Sequence, residues 1–180
     1  MVRACSTIYL SQSPKVLIKT PLGEIQVELY PEKAPVTVGN FLRYVDANLY
    51  DDTTFFRTVT MQNQPKNDVK IMVIQGGMVS KEKSYTSIIH ETTEMIGLKH
   101  LYGTISMARG PPGSAAASFF ICLRDEPELD YGGRRNKDLQ GFATYGMVTE
   151  GMDVVQKIHQ QPYEGQRITS PVEITSIRRL

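Results

Sequence analysis

The sequence predicts a mainly β domain, built as a sandwich or a closed barrel. Three observations predict it. About eight short runs of β character follow one another with turn residues between them. Only two stretches carry a helical period. Strands and helices do not alternate strictly, which disfavours a parallel doubly wound sheet; many short strands favour a sandwich or barrel.

Residues 1–14 read as an irregular arm ahead of a single domain over residues 15–180. Lys15 to Thr20 forms the first strand, and Pro21-Leu22-Gly23 a turn. Ile25, Val27 and Leu29 then alternate with Glu24, Gln26 and Glu28, the pattern of a half-buried antiparallel strand. A helix starts near Pro35 or Thr37, with Val38, Phe41, Leu42 and Val45 on one face. Asp51 to Thr60 returns to β character, Gln62 to Asp68 is a polar loop, and Lys70 to Gln75 is a strand stopped by Gly76-Gly77. Residues 78–102 give no clear pattern. Strands follow at Gly103 to Met107 and Ser118 to Leu123. The glycine-rich polar stretch Arg124 to Gly141 is a long loop, of the kind that tends to carry function in compact domains. Phe142 to Val148 is a strand, Gly151 to Ile158 a short helix with Met152, Val155 and Ile158 inward, and Val172, Ile174 and Ile177 mark the last strand.

A chain of 180 residues suits one domain with a substantial core. With 41% apolar and 22% charged residues it is not a disordered composition. A net charge of +1 offers no broad basic field, so no nucleic-acid partner is expected. No apolar run reaches the roughly 18 residues that span a bilayer, and no membrane span is expected. Met1 to Leu10 contains one basic residue and no sustained apolar segment, so a cytoplasmic location is the expectation, with a periplasmic or secreted one the alternative if the N-terminus is processed or incomplete. Two cysteines make no disulfide scaffold. Cys122 lies in the apolar run Phe119 to Leu123 and reads as a buried thiol, while Cys5 falls in the arm; a bridge between them has no spacing signature.

The common catalytic signatures are missing. His90-Glu91 resembles the opening of a zinc-protease helix, but position 94 is Glu. His90, His100 and His159 therefore read as isolated surface or capping histidines. Gly110-Pro111-Pro112-Gly113-Ser114 is a poor phosphate cradle, since prolines lack the N–H groups that would bind an anion. No nucleotide fingerprint and no nucleophile elbow is present. An arginine on a β run (Phe55-Phe56-Arg57), an amide ending an apolar strand (Ile74-Gln75-Gly76-Gly77) and an aromatic pair (Phe119-Phe120) remain. Taken singly, each has a plain reading as a solvated, a turn and a core residue.

Taken together and in order, these residues resemble the cyclophilin family. Phe55-Phe56-Arg57 and Met72-Val73-Ile74-Gln75-Gly76-Gly77 are similar to its Phe-His-Arg and Phe-Met-Ile-Gln-Gly-Gly. Gly103 to Ala108 matches its Gly-x-x-Ser-Met-Ala, and Ser118-Phe119-Phe120-Ile121 its Gln-Phe-Phe-Ile. Tyr145 to Val155 matches Phe-Gly-x-Val-x-x-Gly-Met-Asp-Val-Val almost throughout. Pro31 to Pro35 and Asn40-Phe41 fit the early part. A long loop over Thr58 to Ile71 and another over Pro127 to Asn136 look most like a bacterial branch. Met72 and Val73, Arg109, Ser118, Glu128 and Phe142 depart from the common pattern.

The resemblance implies a closed eight-stranded antiparallel β-barrel capped by two α-helices. It implies a peptidyl-prolyl cis/trans isomerase that rotates X–Pro bonds and assists protein folding, with no cofactor and no metal. Arg57, Gln75 and Phe120 are its implied catalytic residues. Met72, Ala108, Arg109, Ser118, Leu129 and Phe142 are the implied substrate-binding residues, with Ala108 and Arg109 pairing with substrate backbone. Partners would be proline-containing peptides and unfolded or folding proteins, and a monomer is expected. The competing expectation is a proline-peptide binding module with little catalysis; a scaffold without a peptide groove is disfavoured by Phe120 and Gln75.

Overall fold

The structure, a computed structural model, describes residues 13–180. The expected arm falls almost wholly on residues 1–12, outside the described residues, as does Cys5. Ten strand segments and three helices follow: β1 Lys15–Thr20, β2 Gly23–Leu29, α1 Pro35–Asp46, β3 Thr53–Val59, β4 Val73–Gly76, α2 Thr93–Ile96, β5 Thr104–Met107, β6 Phe119–Cys122, β7 Ala143–Glu150, α3 Met152–His159, β8 Tyr163–Glu164, β9 Arg167–Ile174 and β10 Ser176–Arg179.

Every pairing is antiparallel, in the order β10-β1-β2-β7-β5-β6-β4-β3-β9-β8. This ladder has two ends, and the chain itself joins them. β9 pairs with β3, β10 pairs with β1, and only Thr175 lies between. The Thr175 N–H donates to Lys19 O at 2.8 Å, so one bent strand serves both neighbours. Counting it once and setting aside the two-residue β8, the ring has the expected eight members.

The periodic residues fall where the pattern puts them. Ile25, Val27 and Leu29 are fully buried along β2, and Val38, Phe41, Leu42 and Val45 are buried along α1. α1 has no acid in its own first turn. Glu91 supplies one from across the chain: its carboxylate accepts from Val36 N, Thr37 N and Thr37 Oγ1 at 3.1, 2.8 and 2.6 Å.

Three features were not expected. α2 is a single turn inside the stretch without a clear pattern, β8 adds a short hairpin, and the bent last strand formed by β9 and β10 begins at Arg167. Two histidines also correct their reading as surface or capping residues. His100 is 1% exposed, held by Asp130 and Ser106, and His159 is buried with Nε2 3.0 Å from Val59 O. Polar partners contributed by distant segments make this burial tolerable; only folding brings those partners near. Cys122 is buried as expected, and burial pushes its thiol pKa well up. Among the described residues, no helix is long and apolar enough to cross a membrane.

Buried side chains divide into two apolar clusters. The larger fills the barrel and packs α1 and α3 against it. Phe119 is central there, edge-on to Phe41, Tyr50 and Phe55 with centroids 5.8, 5.7 and 5.9 Å away. Gly77 meets this ring with φ +70°; a Cβ there would lie 2.5 Å from Phe119 Cε1, so the residue that follows β4 must be glycine. The smaller cluster, Val59, Ile71, Val73, Phe120, Cys122 and Leu129 with Ala108 and Phe142 against it, lies on the opposite faces of the same strands.

Candidate active site

Strand alternation would put Phe55 and Arg57 on the same face. Phe55 is in the core at 0% exposure, so a regular strand would aim Arg57 into the barrel as well. The register instead shifts between Phe55 and Arg57 against both β4 and β9, a bulge at Phe56. The extra residue turns Arg57 to the outer face, where it stands opposite Gln75.

Arg57 is held by two amides. Its Nη1 donates to Gln75 Oε1 at 2.8 Å, and Nε and Nη2 donate to Gln166 Oε1 at 3.0 and 2.5 Å. A guanidinium only donates, so both amides must present oxygen to it. Gln75 Nε2 is thereby aimed the other way, donating to Ser118 Oγ at 3.2 Å, and Ser118 Oγ donates to Gly76 O at 3.0 Å. Three of the five guanidinium N–H groups are engaged in this network, and one on each terminal nitrogen is left. Burial lowers the Arg57 pKa, and the charge of Arg135 lowers it further.

A cavity of about 220 Å³ opens over this network. Arg57 and Gln75 form its polar side; Ile71, Val73, Ala108, Phe120, Leu129 and Phe142 form its apolar wall. Phe120 and Phe142 meet edge to face at 5.1 Å. Behind Phe120 lies the His100 ring, parallel within 8° at 5.9 Å. His100 Nδ1 is 2.8 Å from Asp130 Oδ1 and Nε2 is 3.0 Å from Ser106 Oγ. Burial holds the His100 pKa below its usual value despite Asp130, so the ring is neutral at pH 7. Nδ1–H then donates to ionised Asp130, and Ser106 donates to Nε2.

Leu129 and Phe142 enter from the two ends of the long loop. Phe142 N donates to Leu129 O at 3.0 Å. Gly141 has φ +62°, and a Cβ there would run into the backbone of Leu129 and Asp130.

Two implied binding residues need correction. Met72 does not line the cavity; Ile71 and Val73 do. Along this stretch, residues two apart share a face with Gln75, and Met72 is out of phase. Its backbone is instead tied to the loop: Met72 N donates to Glu126 Oε1 at 2.6 Å, and Leu123 N to Met72 O at 2.9 Å. Arg109 borders the cavity, but its guanidinium is turned to the protein. It donates to Asp138 Oδ1 and Oδ2, both at 2.9 Å, and to Gly141 O and Gly110 O, with 1% of the side chain exposed. Only its backbone is free for a peptide. Its Cζ sits 5.2 Å from the Phe142 ring centroid. The Arg109 hydrogen bond lowers the Asp138 pKa to about 2.

Ser118 lies next door, in a second cavity of about 290 Å³ that shares Gln75, Ala108 and Arg109 with the first. The sequence reading missed Gln166, Ile71, Val73, Arg135 and Asn136. The β alternation back from Gln75 would have found Val73. Gln166, in the turn between β8 and β9, and Arg135, in the long loop, carry no local signal.

The family model described as cyclophilin type peptidyl-prolyl cis-trans isomerase/CLD matches residues 15–179. The chain belongs to this family. It is 38% identical over 151 residues to peptidyl-prolyl cis-trans isomerase A of Dickeya dadantii, covering 82% of this chain and 72% of that one. It is 36% identical over 149 residues to peptidyl-prolyl cis-trans isomerase B of Escherichia coli, covering 79% and 82%. The fold is similar to a Cryptosporidium parvum cyclophilin-type isomerase crystallised in the presence of the dipeptide Ala-Pro. That likeness has a TM-score of 0.73 at 21% identity and covers 91% of this chain and 97% of that one.

Proposed function

We propose that this chain is a peptidyl-prolyl cis/trans isomerase that accelerates X–Pro rotation in polypeptide substrates, with Arg57 as its catalytic cation. The observation that carries this reading is the bulge that brings Arg57 out beside Gln75, at the polar side of an apolar cavity.

X–Pro rotation is slow because it breaks amide resonance, at a barrier of about 18–20 kcal/mol, and takes roughly 10–100 s unassisted. In the twisted transition state the proline nitrogen regains its lone pair. A donor placed at that nitrogen therefore binds the transition state better than the planar ground state. Arg57 has a donor left on each terminal nitrogen and keeps its proton at working pH. Gln166 and Gln75 hold it in place, so the donor is oriented before the substrate arrives.

Gln75 has one amide N–H beyond its bond to Ser118, suited to the carbonyl oxygen of the residue before proline. Phe120, Val73, Leu129 and Phe142 form a slot for the pyrrolidine ring. The Ala108 N–H is held by Ser118 O at 2.8 Å, so the Ala108 carbonyl and the Arg109 backbone are what can pair with the peptide chain. No covalent bond forms or breaks, so the chemistry asks for no base or nucleophile. Lowering the barrier by about 4 kcal/mol gives about a thousandfold acceleration.

The test is exchange spectroscopy on a short Ala-Pro peptide. Acceleration that falls away in Arg57→Ala supports the reading. Saturable binding with no acceleration would instead make the chain a proline-peptide binding module.

A further inference from the structure

We propose that the groove favours peptides with a carboxylate side chain close to the proline, and that Arg135 is the residue that selects it. The proposal rests on the isomerase reading above and names its substrate class.

Arg57 and Arg135 line the same cavity, and both are partly buried. The carboxylates nearby already have partners. Glu126 accepts from Arg124 and from Met72 N, Glu128 pairs with Arg134, and Asp138 pairs with Arg109. Arg135 makes a single side-chain hydrogen bond, from Nη1 to Val69 O at 2.6 Å. Its Nε and Nη2 have no partner among the described residues. Its backbone is fixed, with Arg135 N donating to Glu128 O at 3.1 Å.

Three arginines thus line the cavity and no carboxylate does; Arg109 is balanced by Asp138, while Arg57 and Arg135 have no ion-pair partner among the described residues. Burial lowers the pKa of both; the Arg135 charge lowers that of Arg57 further, while Glu126 only partly offsets the shift of Arg135. A substrate carboxylate would relieve that like-charge repulsion and could take two parallel N–H bonds from a guanidinium. A neutral amide of the same size would relieve nothing, and an ammonium would add a third unbalanced positive charge.

The experiment uses acetylated, amidated peptides, so that only the varied side chain carries charge. Glu, Gln or Lys is placed just before or just after an Ala-Pro unit, and kcat/KM is read by exchange spectroscopy. At one flank the Glu peptide should exceed the Gln peptide by about fivefold, the range of a partly buried ion pair, with Lys below Gln. The Glu/Gln ratio should fall to about one in Arg135→Gln, survive in Arg135→Lys, and shrink as salt is raised. Because the ratio is internal to each variant, a general loss of activity does not disturb it. Equal values for the three peptides at both flanks, or a ratio that survives in Arg135→Gln, would overturn the proposal. If no peptide is isomerised, the isomerase reading falls. The Glu/Gln ratio of dissociation constants, from chemical-shift titration, then decides the selectivity by itself.

Discussion

Phe119 and Phe120 are consecutive on β6 and nearly equally buried, at 0% and 5% exposure, yet they belong to different apolar clusters. Phe119 points into the barrel among Phe41, Tyr50 and Phe55, while Phe120 points out to Phe142 and the cavity. The period of two along a strand separates them, and the proposed function gives them different tasks, packing for Phe119 and substrate binding for Phe120.

Phe119→Ala should therefore cost about 3–5 kcal/mol, the range for emptying a packed aromatic site. Phe120→Ala should cost less, since one side of its ring already faces a cavity, and it should raise KM. Urea midpoints for the two variants check this. The reverse order would place Phe119 in the groove and Phe120 in the core.

The parts of the molecule set by local period were legible in the sequence. β2 shows its inward face through Ile25, Val27 and Leu29, and α1 through Val38, Phe41, Leu42 and Val45. Arg57 and Gln75 stood out only through the family resemblance, because a strand arginine has no local signature and the bulge that exposes it is a property of three paired strands. Met72 was misplaced because motif matching ignores which face a residue takes. Gln166 and Arg135 were invisible for a different reason. Gln166 reaches Arg57 and Arg135 reaches the cavity, each from a turn or loop far away in sequence, and only the folded chain brings them there.

The Arg109–Asp138 clamp holds the end of the loop that carries Phe142. Asp138→Asn leaves Arg109 its carbonyl partners but removes the charged fork. KM for an Ala-Pro peptide should rise about threefold, the scale of a partly exposed ion pair, with kcat little changed. With the folded carboxyl at about pKa 2, the clamp is complete above the ordinary value of 3.8 and is lost only as pH falls through 2. KM should therefore not rise on its account between neutral pH and about pH 4. Steady-state kinetics on the two proteins checks both statements, and an unchanged KM would show that Phe142 is held by other contacts.

His100 makes stability depend on pH at higher values. Its folded pKa lies below 6.5 because it is buried, while in the unfolded chain it titrates at its ordinary value. Below about pH 6.5 the unfolded chain takes up a proton that the folded ring refuses. Its contribution is present above that pH and is lost as pH falls toward the folded value. His90 shifts in the same direction and adds to the slope. The Tm should fall between about pH 7 and pH 5, and less steeply in His100→Gln, whose amide can still donate to Asp130 and accept from Ser106. Equal slopes for the two proteins would exclude His100 as the group responsible.

In the proposed function, Arg57, turned outward beside Gln75, lowers the barrier to X–Pro rotation. The direct measurement is kcat/KM for an Ala-Pro peptide by exchange spectroscopy, on the wild-type chain and on Arg57→Ala, with circular dichroism confirming that both are folded. Removing one oriented donor of this kind costs about 2.7–4 kcal/mol, so the variant should lose about 100- to 1000-fold in rate. A folded Arg57→Ala that keeps more than about half of the wild-type kcat/KM, less than 0.5 kcal/mol by the same arithmetic, would contradict the account.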